Sequence, residues 1–140
     1  MTRQRRGRRS GAAVVEFAVV APLVFLFFFA AFEFARMNLL RHTVEMAAFE
    51  GARCGIVPGA TAIEARQRAN GILSVVGARD ATINVTPDII DLQTKEVTVR
   101  IQVPLDANAW VTPYFLRGMQ IDRQFTLIRE QLVRITPVLP

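Results

Sequence analysis

The sequence predicts an α+β fold: one long N-terminal helix, part transmembrane and part extracytoplasmic, a second amphipathic helix, and a small antiparallel sheet of about three strands. Three observations predict it. Ala12 to Phe32 is an apolar run with one ionisable side chain, Glu16. A 3.5-residue apolar repeat carries on from that run to Cys54. Past residue 80 the apolar period becomes two, the mark of half-buried strands.

The first element follows from the cost of burying backbone in lipid. A helix needs about 20 apolar residues to span a hydrocarbon core. A cleaved secretory signal has a shorter apolar region, about 7–15 residues, closed by a small-residue site of the Ala-x-Ala kind. Here the run ends in Phe32-Glu33-Phe34-Ala35-Arg36, which offers no such site, and a retained transmembrane helix is expected. Arg3, Arg5, Arg6, Arg8 and Arg9 precede it. Arginine clusters stay cytoplasmic, so residues 1–11 form a cytoplasmic basic leader. Residues 12–35 then form the span, and residues 36–140 an extracytoplasmic α+β domain. The leader arginines hold topology and touch anionic lipid. Pro22 stands inside the span, where membrane helices tolerate it.

Glu33 marks the outer end of the span, and Arg36, three residues on, is placed to pair with it. Met37 to Gly51 contains no proline, so the helix is expected to continue. Met37, Leu40, Val44, Ala47, Gly51 and Cys54 form one stripe. Followed backwards it passes through Glu33, Ala30, Leu26, Leu23, Val19 and Glu16. One helix from about Ala13 to about Cys54 is predicted, with two helices broken near Asn38 as the alternative. Ala47 and Gly51 are small enough to let a second element approach closely.

Pro58-Gly59 is a turn signal. Thr61-Ala-Ile-Glu64 then has the form of a capping box and opens a helix to about Val76. Its apolar stripe is Ala62, Ala65, Ala69, Leu73 and Val76, while Glu64, Arg66 and Arg68 face water. Ala81, Ile83 and Val85 alternate with polar residues up to Pro87, and Val97, Val99, Ile101 and Val103 do so up to Pro104. Between these two strands, Ile89 and Ile90 are expected to tuck into the core. Leu105 to Gly118 suggests a short helix near Ala107–Trp110 followed by a loop around Pro113. Trp110, Tyr114 and Phe115 read as a core plug, with an exposed subunit-facing patch as the alternative. Met119 to about Val133 reads as a third strand with Ile121, Phe125 and Leu127 on one face, interrupted by Arg123. The tail through Pro137 and Pro140 is expected to lack regular structure.

Composition excludes more than it assigns. Lys plus Arg number 17 and Asp plus Glu 12, a formal charge of +5. The five excess charges are the leader arginines, so from Ala12 onward bases and acids balance at 12 each. A solvated surface is expected rather than a nucleic-acid groove. The single Cys54 allows no internal disulfide and reads as a buried small apolar group, with an intermolecular bridge as the alternative. The single His42 has no metal-ligand companion and reads as a solvated helix residue. Asp88 and Asp91 are too few oxygen donors for a hard-cation loop and read as a solvated turn. No set of nucleophile, base and orienting group is visible. The expectation is a protein that is not an enzyme, with no cofactor, no metal and no small-molecule substrate.

Glu16 is the anomaly. An acid at the centre of a membrane helix costs about 2.5–3.5 kcal/mol, less near an end, and such acids have partners. A cut after Gly11 would make Ala12 a free amino terminus, four residues before Glu16 and one helical turn away. Ammonium and carboxylate would then share a face, helped by the positive end of the helix dipole.

At these residues the chain resembles the type IV prepilin processing site: basic leader, Gly11, four small residues, Glu16-Phe17, then an apolar helix. Gly11-Ala-Ala-Val-Val-Glu16-Phe17-Ala18, Pro22, Phe32-Glu33-Phe34-Ala35-Arg36 and Glu50-Gly51-Ala52-Arg53 look most like the TadE-like minor pseudopilins of tight-adherence pili. The resemblance covers Arg8 to about Val57. It implies cleavage between Gly11 and Ala12 by a prepilin peptidase, with Glu16 serving subunit packing. It also implies partnership with other pilins and the assembly platform, a single-pass position in the bacterial inner membrane with a periplasmic C-terminal part, and a role in adhesion. Pilins of this kind often begin their mature chain with Phe, whereas this one would begin with Ala12. The alternative, from a different class, is an unprocessed single-pass anchor carrying a periplasmic binding module.

Overall fold

The structure is a computed structural model that describes residues 8–91, 93–110 and 118–129, with side chains from residue 11 onward. Arg5 and Arg6 of the leader, Pro113, Tyr114 and Phe115, the expected end of the third strand near Val133, and the proline-bearing tail lie outside the described residues. So do the side chains of Arg8 and Arg9. In chain order the elements are α1 (Arg8–Gly55), α2 (Ala62–Val75), β1 (Thr82–Thr86), β2 (Glu96–Pro104) and β3 (Gln120–Ile128). The chain divides into two compact units, Met1–Arg36 and Met37–Pro140.

α1 is 48 residues long and contains Pro22 without ending there. It begins five residues before the expected Ala13, because arginine and serine at positions 8–10 bring no helix breaker. It is also unbroken at Asn38, which excludes the two-helix alternative. In the first unit nearly every side chain from Val14 to Phe34 is exposed, including Phe17, Phe25, Phe27, Phe28, Phe29 and Phe32.

The second unit has an ordinary core. From α1 it takes Leu40, Val44, Ala47, Ala48 and Ala52, from α2 Ala62, Ala65, Ala69 and Leu73, and from the sheet Val85, Val97, Val99, Ile101 and Val103. The stripe expected on α1 is present but broader, since Ala48, Ala52 and Gly55 are buried beside it. A helix meeting both a second helix and a sheet needs two adjacent rows of small residues, not one seam. A methyl group added at Gly51 would lie 3.2 Å from the Ala65 carbonyl oxygen and 3.2 Å from Ala69 Cβ. At Gly55 it would lie 2.8 Å from Val97 Cγ1, inside any real contact distance.

α2 opens with the capping box its sequence announces. The Thr61 N–H donates to Glu64 Oε2 at 2.8 Å, and the Glu64 N–H donates to Thr61 Oγ1 at 3.3 Å. The turn before it has Gly59 at φ +86°, where a side chain would be strained.

The sheet is an antiparallel meander of order β1-β2-β3, with Ile83 opposite Ile101 and Val99 opposite Phe125. β2 is central, and its inward residues are fully buried. β3 is an edge, so Ile121, Phe125 and Leu127 are only half-buried. Arg123 shares their face opposite Ile101 and sends Nη1 to the Asp122 carbonyl oxygen at 2.9 Å. Phe125 meets Phe49 of α1 edge to face at 5.7 Å. The Thr86–Pro87 peptide bond is cis.

Three expectations are corrected. Ile89 is 82% exposed and only Ile90 packs on the core, because neighbouring side chains in extended backbone diverge and a single one can turn inward. Residues 105–109 form a hydrogen-bonded turn, with Asn108 N and Ala109 N donating to the Leu105 carbonyl at 3.0 and 2.8 Å, not a short helix. Trp110 is 68% exposed rather than part of the buried core. The inward position belongs to Asn108, 2% exposed, whose Oδ1 accepts from Arg79 N at 2.8 Å. Its Nδ2 donates to Arg79 O at 3.0 Å and Pro104 O at 2.8 Å. A buried amide satisfied three times over is stable there.

The two helix glycines should respond oppositely to alanine. Gly55→Ala is expected to cost about 1–3 kcal/mol by overpacking against Val97. Gly71→Ala, with open space around it, should gain up to about 1 kcal/mol of helix propensity. Denaturant unfolding of the detergent-solubilised protein, followed by the sheet's signal, measures both.

Candidate functional site

The candidate site is the first turns of α1. Gly11, Ala12, Glu16 and Phe17 all stand on exposed helix, and nothing lies within 4 Å of a methyl group added at Gly11. Ala12 and Glu16 are four residues apart, so they rise about 6 Å and turn only about 40° around the axis. They lie on one face. The first turn of the described helix holds no acid, and Glu16 is the first acid the helix meets.

Beyond Glu16 the surface is hydrocarbon. Among the described residues one helix, Gly11–Gly55, is long and apolar enough to cross a bilayer, and its most apolar window is wholly unburied. A helix from a soluble core would have that window covered. α1 is thus a candidate membrane anchor. At its far end Glu33 and Arg36 are each partly shielded from solvent. Ala47 and Gly51 belong to the other unit and are buried against α2 and the sheet.

Several charged groups of the second unit pair at the surface. Glu50 lies 3.4 Å from Arg53 and 3.7 Å from Arg68, tying α1 to α2. Asp88 lies 3.7 Å from Arg66. Asp91 Oδ1 accepts from Gln93 N and Thr94 Oγ1, both at 2.9 Å. These bonds, the Thr94 hydroxyl first, hold its carboxyl below the usual carboxylate range. On the sheet's outer face Arg100 Nε donates to Asp122 Oδ1 at 3.0 Å and Gln102 Nε2 to Asp122 Oδ2 at 3.1 Å. The Arg100 bonds, more than any other cause, likewise lower the Asp122 carboxyl. Among the described residues no group of three His, Cys, Asp or Glu side chains could hold a metal ion. His42 is exposed, and Cys54 is a half-buried free thiol.

Four structural residues carry no role in the sequence reading. Gly55 has no packing role there, though its spacing of four from Gly51 is the signal of a continued close-packing row. Phe49 reaches Phe125 across the core edge. Asn108 has no local signal at all. Neither has Arg129, 7% exposed, whose guanidinium donates to the Asp91 carbonyl.

The family model described as TadE-like protein matches residues 11–53. Over this segment the chain is TadE-like. The match begins at Gly11, takes in Glu16, and ends two residues short of the end of α1. No curated protein and no solved structure matches the chain. The TadE-like segment links the chain to tight-adherence pilus assembly and to the company of pilus components.

Asp122 gives the domain a signed pH dependence. Its folded carboxyl titrates lower than its unfolded one, so its contribution is complete above the unfolded value and is lost as pH falls through the folded value. The carboxyl carbon resonance of Asp122 should titrate below the ordinary aspartate range in the folded protein. In Arg100→Ala it should return most of the way, and an unchanged midpoint would discount the pairing.

Proposed function

We propose that this chain is a minor pseudopilin of a tight-adherence pilus. It enters the inner membrane through α1, with the leader arginines cytoplasmic and residues 36–140 periplasmic. A prepilin peptidase cuts between Gly11 and Ala12. The new Ala12 ammonium then neutralises Glu16 of its own chain or of a neighbour, and this pairing sets the axial register of the subunit among other pilins. The exposed phenylalanines supply lateral contact with lipid or with neighbouring subunits. The assembled structure serves adhesion and surface colonisation.

One observation carries the reading. The TadE-like match opens on the glycine of the cut and includes the sole ionisable side chain between Ala12 and Phe32. An acid in that position would cost about 2.5–3.5 kcal/mol at mid-membrane, less near an end, and needs a compensating charge. Proteolysis after Gly11 supplies one at the right helical spacing.

Intact-mass measurement of the membrane-extracted protein should give a chain beginning at Ala12. A chain that keeps Arg3 to Gly11 would favour the unprocessed, membrane-anchored binding module. Glu16→Ala should leave cleavage intact and lower pilus yield about tenfold or more, since one uncompensated ammonium per subunit is left behind. Wild-type piliation in Glu16→Ala would remove Glu16 from the mechanism.

A further inference from the structure

We draw no further inference here: the strongest candidate, the exposed apolar surface patch of Leu39, Met46 and Phe49 along α1 in the second unit, carries none because nothing in the structure shows what covers it.

Discussion

The second unit depends on how closely α1 can be approached. Gly51 and Gly55 present only hydrogen where α2 and β2 arrive, and Ala47, Ala48 and Ala52 present only methyl groups. Along this row the larger side chains come from the partners, Leu73 from α2 and Val97, Val99, Ile101 and Val103 from β2, whereas α1 contributes bulk only earlier, through Leu40 and Val44. This division is steric before it is hydrophobic. A close-packed interior leaves no room for a second large residue at each contact, so bulk on β2 requires small residues on α1 from Ala47 to Gly55. The broad row of small residues follows from that requirement, and the sheet's position over the helix follows from the row.

The first unit obeys the opposite rule. Its side chains are large, mostly aromatic or branched, and exposed. A soluble helix with such a surface would be an aggregation liability, whereas a helix in lipid meets a medium as apolar as itself. The contrast between the alanine and glycine row after Leu40 and the phenylalanine surface before Arg36 is therefore a contrast of surroundings. One suits a close-packed protein interior, the other the surface of a candidate membrane anchor.

Much of this was legible from the residues because it depends on local patterns. The apolar run, the Thr61–Glu64 capping box and the alternation of β2 are each contained within a few turns or one strand. The second row on α1 was not visible, since a 3.5-residue repeat describes one neighbour and this helix has two. Ile89 and Trp110 misled for a related reason. Hydropathy says that a residue gains from burial, but only the backbone path decides which of two adjacent residues can turn inward. Asn108 illustrates the limit. Its role is to join the Arg79 backbone to the end of β2, a relation between segments 29 residues apart that no window on the sequence contains. At the candidate site the reading from residues went as far as chemistry allows. An acid in an apolar run is conspicuous wherever it occurs, and its position relative to Gly11 is fixed by the chain itself.

Among the described residues the buried cluster of the second unit draws on no side chain before Leu40, and the sheet is a simple meander whose strands join in the order of synthesis. Contacts of this kind close over short stretches of chain. Folding of the later residues is thereby uncoupled from whatever environment holds the earlier ones.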